Sequence, residues 1–294
     1  MNSKKLLLKI YYPLTILVTL LLSVLGIHWL APNLYPIIPI ALTLLFLLTF
    51  IYGEKFLAYN KAWSGTKKDS AADFLQTFIV LPMASKVAEL LVPILVFYPI
   101  SKFSAHFGLI DLSADYGFAV QFIVALLACE FTFYWFHRAA HHIPLLWRFH
   151  ALHHGAPRVY WLNAGRFHIL ESFFTSIFYF LPLVFFTPSP EITILIITIS
   201  SITGFLEHVN IDLKAGWLNF IFNTCQLHRW HHSKVVLESN KNYGKVLIVW
   251  DLLFGSYFLP KNREVEEVGI IEDDVPLDFI GQQTYPFKKK TTVG

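Results

Sequence analysis

The chain alternates long apolar runs with short polar stretches. The apolar segments cover residues 12–30, 35–52, 78–100, 118–136, 169–186 and 192–206. Each approaches the ~20 residues a helix needs to cross a ~30 Å hydrocarbon layer. Residues 31–34 join the first two and Pro188-Ser189-Pro190 the last two, so both pairs read as helical hairpins. The third segment is interrupted by Lys86 and Glu89, three residues apart, and by Pro82, Pro93 and Pro99. Either the two charges pair on one helix face, or the first part of the segment lies in the membrane interface and only the second part spans. Lys4, Lys5 and Lys9 ahead of the first run resemble a secretory signal. The run is longer than the ~7–15 residues of a signal core, and a second run follows almost at once. It is expected to remain as a transmembrane helix.

Lysines decide the expected orientation. They cluster at the N-terminus and at Lys55, Lys61, Lys67 and Lys68 after the first hairpin, whereas Lys102 stands against Asp111 and Asp115 in the next loop. The positive-inside rule then places the N-terminus in the cytoplasm. Counting spans returns residues 137–166, and everything after about Glu207, to that same side. Past Pro260 the chain turns charged and reads as a soluble tail, ending in a Lys288–Lys290 run that is either solvated or in contact with anionic lipid. Three regions follow: 1–70, a transmembrane hairpin and loop; 71–260, a catalytic unit; and 261–294, the tail.

Composition strengthens the membrane reading. Hydrophobic residues make up 55% and charged residues 15%, against roughly 25% charged in soluble domains. The net charge of +3 forms no basic stripe of the kind nucleic acid requires. Cys129 and Cys225 have no CxxC spacing and read as reduced structural thiols.

The thirteen histidines are not scattered. His137-Arg-Ala-Ala-His141 is followed by His150-Ala-Leu-His153-His154 and by His228-Arg-Trp-His231-His232; His168 and His208 stand singly in polar settings. Residues three and four apart share a helix face, so each box presents imidazoles side by side. Imidazole suits iron, zinc, copper and nickel. Eight or more histidines exceed what one ion takes, which implies two metals. His142 points off the ligand face, and His28 and His106 fall at the opposite side of the membrane.

The order and context of these boxes resemble the fatty acid hydroxylase / sterol desaturase superfamily. Glu130-Phe-Thr-Phe-Tyr134-Trp-Phe-His137-Arg138, Leu146-Trp147-Arg148-Phe-His150, Asn242-Tyr243-Gly244 and Trp250-Asp251-Leu-Leu-Phe254-Gly255 are similar to its flanking motifs. The tail around Tyr285-Pro286-Phe287 is similar to that of its bacterial members, and the resemblance runs from about Phe74 to the C-terminus. It implies an all-α integral membrane fold of about six transmembrane or interfacial helices under a cytoplasmic histidine-rich dome, in a bacterial inner membrane. It also implies two Fe ions, with zinc as a substitute, and O2 as co-substrate. The ligands would be His137, His141, His150, His153, His154, His228, His231 and His232, joined by His168 and His208. Ile169 stands where the family commonly has proline.

Glu130, Asn163, Glu171, Glu207, Asn210, Asn242 and Asp251 lie near the boxes and are candidates to orient the imidazoles, or else act as caps and surface groups. Arg138, Arg148, Arg166 and Arg229 are expected as interfacial anchors, and Trp135, Trp147, Trp161, Trp230 and Trp250 as an aromatic belt. The expected activity is hydroxylation or desaturation of a lipid (sterol or isoprenoid, fatty acyl, ether or amino-lipid). The electrons would come from a separate cytochrome b5-like protein, ferredoxin or reductase. A zinc-dependent membrane hydrolase is the rival, although no HExxH motif is present.

Overall fold

A computed structural model describes residues 3–92, 111–271 and 275–288. Among them, six helices are long and apolar enough to cross a membrane. In chain order these are α1 (Ser3–Trp29), α2 (Ile37–Leu57), and a third that runs from α3 (Ser70–Leu75) through a π-helical turn (Gln76–Val80) into α4 (Leu81–Val92). Then come α5 (Phe118–His142), which breaks into the short α6 (Pro144–His154), α7 (Ile169–Phe186) and α8 (Pro190–His208). Short helices α9 (Cys225–His231), α10 (Val249–Phe254) and α11 (Phe279–Lys288) build a cap; the described residues contain isolated β-bridges but no strand. The chain is a multi-pass, all-α membrane protein.

Outward apolar side chains such as Leu14, Leu17 and Leu21 on α1 and Ile40, Leu44 and Leu48 on α2 are exposed, as lipid-facing positions are. Several hydroxyls within the spans are satisfied by their own helix, as a lipid environment favours. On the buried face of α1, Thr15, Thr19 and Ser23 each donate to the carbonyl four residues back, at 2.8, 2.7 and 2.7 Å. α8 packs on α1, α2, α5 and α9, while α7 packs on α4 and α5.

Two expectations change. α1 and α2 pack as a hairpin, with Ile38 filling the space beside Gly26. α7 and α8, turned by the left-handed Thr187 (φ 36°) ahead of Pro188 and Pro190, meet around Tyr179, Ile192 and Ile196, but each packs mainly on other neighbours. The third span starts at Ser70, eight residues before the apolar run. Asp73 and Gln76 look disruptive in sequence, yet both are buried and paired, Asp73 with Arg166 and Tyr160 and Gln76 with Gln282. The helix continues unbroken through Lys86 and Glu89, which pair at 2.8 Å on its exterior. Pro93, Pro99, Lys102, His106 and Lys289–Lys290 lie outside the described residues.

The histidine-bearing ends converge. The C-terminus of α5, the N-terminus of α7 and the C-terminus of α8 lie at one end of the bundle. The start of α1 joins them through Lys214 N–H to Leu8 O (3.0 Å), the end of α2 through Tyr59 N–H to Asn210 O (3.0 Å), and α3 through Asp73. His28 sits at the far end of α1. A proline makes the decisive corner. A residue before proline is driven out of the helical region, and Ile143 (φ −99°, ψ 116°) ends α5 while Pro144 opens α6 at its first position. The chain therefore reverses between the first two histidine boxes and lays α6 back over the end of α5.

Candidate metal centre

The end of α5 contributes His137 and His141 from one face, and α6 contributes His150, His153 and His154. His208 is the last residue of α8; His228 and His231 lie in α9, with His232 as its C-cap. These nine histidines form two adjoining buried groups. One is His137, His141, His150, His154 and His231; the other is His153, His208, His228 and His232, and within each group the ligating atoms lie within 4.8 Å of one another. Trp147 packs on His141 and His154, and Phe167 stacks on His153 at 4.2 Å.

Hydrogen bonds on the outer ring nitrogens set the tautomers. His137 Nδ1 donates to Tyr243 O (2.8 Å) and His231 Nδ1 to Lys241 O (2.7 Å). A carbonyl can only accept, so both Nε2 atoms carry lone pairs, yet they stand 3.0 Å apart. Two lone pairs facing each other at that distance repel unless a cation lies between them. In the second group Asn163 Oδ1 accepts from Tyr160 N–H while its amide donates to Arg158 O, so the Asn163 orientation is fixed and His208 Nδ1 donates to it at 2.9 Å. His208 Nε2 then faces His228 Nε2 at 2.8 Å.

The remaining inner Nε2 atoms are as close. His150 Nε2 lies 3.1 Å from both His137 and His141, His154 3.1 Å from His231, and His232 3.1 Å from His228. With metal–nitrogen bonds of about 2.1 Å, ligands at right angles sit about 3.0 Å apart and tetrahedral ligands roughly 3.4 Å. The observed spacing is of the order expected for ligands of a shared ion. Burial, then neighbouring histidines, hold His150, His153, His154, His228, His231 and His232 well below the ordinary imidazole range. That keeps them neutral, the form that binds metal. The residues fit a dinuclear metal site.

The other candidate positions divide clearly. Glu171 holds His150 Nδ1 by a very short hydrogen bond, and Asn240 holds His141 Nδ1 at 2.9 Å. Glu207 Oε2 stands 3.3 Å from His228 Nδ1, off the line of a hydrogen bond. Glu130, Asn210, Asn242 and Asp251 touch no histidine; they hold backbone. Glu130 accepts from the N–H groups of Lys245, Val246 and Leu247. Asp251, pushed up to about 6 by burial, accepts from Tyr243 and Gly244 N–H. Asn242, in the left-handed region at φ 56°, ties Leu227 O to Phe258. Asn210 ties the loop after α8 to Asn60.

His168 stands apart from both groups. It caps α7, its Nδ1 accepting from Leu170 N–H at 3.1 Å while Nε2 meets Gln283 O at 3.0 Å. Both nitrogens are thus occupied by backbone. The arginines also depart from expectation. Arg166 is fully buried on Asp73 and Leu152 O, and Arg229 lies buried over the Tyr59 ring and donates to Ile211 O, so neither anchors at an interface. Trp147 and Trp230 are buried too, whereas Trp135 faces outward. The sequence reading passed over the carbonyls of Lys241 and Tyr243, which carry no side-chain signal. It also passed over Asn240, and Arg158, which is buried on Asp69.

Helices that cross a membrane and gather nine buried histidines at one end define a class: integral-membrane proteins with a polyhistidine metal centre. A model of the fatty acid hydroxylase family matches residues 122–256. Ornithine lipid hydroxylase OlsE of Rhizobium tropici is 32% identical over 242 residues, covering 81% of this chain and 72% of that protein. Alkylglycerol monooxygenase of Homo sapiens is 35% identical over 133 residues, 45% of this chain and 29% of that protein. A probable Delta(7)-sterol 5(6)-desaturase of Neurospora crassa is 27% identical over 225 residues, 72% of this chain and 58% of that protein. No solved structure matches. The chain belongs to the fatty acid hydroxylase family.

Proposed function

We propose that this chain is a di-iron, O2-dependent oxidoreductase that hydroxylates or desaturates a membrane lipid. The observation that carries the reading is the pair of adjoining buried histidine groups, with the unprotonated Nε2 atoms of His137 and His231 facing each other at 3.0 Å. Similarity to lipid hydroxylases, monooxygenases and a desaturase supports it. The ligands are His137, His141, His150, His154 and His231 at one iron and His153, His208, His228 and His232 at the other, with zinc able to substitute. Bound there, iron supplies reductive activation of O2 and removal of hydrogen from an unactivated C–H bond.

The protein's own part is positioning. Tyr243 O, Lys241 O, Asn240, Glu171 and Asn163 fix ring orientation, and burial excludes water from the site. The cluster closes one end of the membrane helices, so a lipid chain reaches it from within the bilayer. Hydroxylation balances as R–H + O2 + two electrons + two protons giving R–OH + water. The electrons come from a separate carrier: a cytochrome b5-like protein, ferredoxin or reductase. Residues 71–260 form the catalytic unit between the N-terminal hairpin and the charged tail. The N-terminus and metal site face the cytoplasm of a bacterial inner membrane, which the lysine distribution supports. The zinc hydrolase reading is set aside, since the relatives are hydroxylases, monooxygenases and a desaturase.

The test supplies iron-loaded enzyme with reductant, 18O2 and native lipid extract, and follows lipids by mass spectrometry. A lipid that gains one labelled oxygen, or loses two hydrogens, only with O2 is expected. Absence of either product at full iron occupancy contradicts the proposal.

A further inference from the structure

The cap carries a hollow of about 310 Å³ lined by Trp63, Lys67, Lys68, Pro157, Arg158 and Leu277. Asp69 also borders it, but Arg158 grips that carboxylate at 2.7 and 3.1 Å and so neutralises it. Lys67 and Lys68 are exposed, as is Lys61 six residues before Lys67, and among the described residues none of the three forms an ion pair. Glu264 lies close enough to Tyr59 to act on its phenol but does not line the hollow. The rim is therefore positive around a floor that is largely apolar.

The same hollow adjoins the histidine cluster by a short bonded route. Pro157 is exposed. Its neighbour Arg158 accepts at its carbonyl from Asn163 Nδ2 (2.6 Å), and Asn163 Oδ1 accepts from His208 Nδ1 (2.9 Å). Two hydrogen bonds thus link surface backbone to an imidazole of the second group. The described residues hold no flavin, haem or iron–sulfur motif, while each oxygenase turnover consumes two electrons from outside.

We propose that this hollow is the docking site of an acidic one-electron carrier protein, which passes electrons through Pro157–Arg158 and Asn163 to His208. The inference rests on the oxygenase reading. Positive charge on the rim steers an acidic partner and raises its association rate in a salt-dependent way. The apolar floor with Trp63 and Leu277 supplies the contact, and the fixed Asn163 amide makes the route rigid.

The test uses the full-length iron-loaded enzyme in nanodiscs of zwitterionic lipid, and compares wild type with the Lys67→Glu/Lys68→Glu double variant. Electrons are supplied by a small chemical reductant or by a pre-reduced acidic carrier, either the haem domain of a cytochrome b5 or a [2Fe–2S] ferredoxin. With the chemical reductant both proteins are expected to give equal product and hold equal iron. With the carrier, the variant should oxidise it at least tenfold more slowly at low salt and lose most of the salt dependence, while Lys67→Gln/Lys68→Gln falls between. Equal carrier oxidation by wild type and variant overturns the proposal. So does a variant defect that appears only when anionic lipid is added, which assigns the lysines to lipid headgroups. So does a wild type that oxidises neither carrier while turning over with the chemical reductant. A wild type that makes no product with the chemical reductant overturns the oxygenase reading itself, a failure distinct from the other three.

Discussion

His137 and His231 point unprotonated Nε2 atoms at each other across 3.0 Å, each tautomer fixed by a backbone carbonyl behind it. Without a cation this arrangement is repulsive, so the protein's stability is linked to metal occupancy. A site filled to about 1,000 times its Kd contributes roughly 4 kcal/mol. Chelation is therefore expected to lower the thermal midpoint in detergent by roughly 10 °C and readdition of Fe(II) to restore it, measured by differential scanning fluorimetry.

Glu171 bears directly on one ligand through His150 Nδ1. Replacing an orienting carboxylate commonly costs about 10- to 100-fold in metal affinity or activity. Glu171→Gln is predicted to fall in that range, with the protein still folded, as read from iron titration and product formation. Asp251→Asn, whose partners are Tyr243 and Gly244 N–H, acts one step further away and should cost less.

Gly244 is predicted to tolerate no side chain. An added Cβ meets Leu247 O at 2.1 Å, and the backbone that would have to move carries Tyr243 O to His137 and Lys241 O to His231. Gly244→Ala should therefore lose iron from the five-histidine group before it loses helicity. Circular dichroism and metal analysis on one preparation check this.

The buried pair Arg166–Asp73, both fully buried at 3.1 Å, joins the loop before α7 to α3. Removing one partner of a buried ion pair costs about 3–5 kcal/mol. Arg166→Met is expected to show that loss in thermal or denaturant unfolding, and Arg166→Met/Asp73→Leu to recover part of it. An effect of the single variant below about 1 kcal/mol would contradict the assigned role.

Acid should release the metal. Six cap histidines have their pKa lowered by burial and by one another. The unfolded chain therefore binds more protons than the folded one just below the ordinary imidazole value, and stability falls as pH drops through about 6.5. Asp251, raised to about 6, works in the opposite sense. Iron retention and thermal midpoint are both expected to decline from pH 7 to 5 and to be flat from 7 to 8.

How much of this was legible in the sequence follows from where each signal lies. Spans come from apolar runs, and the histidine boxes from i, i+3 and i+4 spacing, so both were readable. The start of the third span was placed too late because Asp73 and Gln76 look polar until Arg166, Tyr160 and Gln282 arrive from distant segments. His168 resembled a ligand by its local sequence context, yet at the start of α7 it serves as a cap. Arg166 and Arg229 looked interfacial for lack of a visible acceptor; their partners are carbonyls and a carboxylate that folding supplies. The split of nine histidines into five and four depends on the Ile143–Pro144 corner and on α9 meeting α8, neither of which periodicity reveals.

The central claim is that two metals sit in the two histidine groups. Its most direct test is metal stoichiometry by mass spectrometry on iron-reconstituted protein, for wild type and for His231→Ala and His228→Ala, with X-ray absorption at the iron edge. The account predicts two irons per chain, each among several nitrogen neighbours at about 2.1 Å, with both variants falling below two. One metal per chain, or four-coordinate zinc that iron cannot displace, would contradict it.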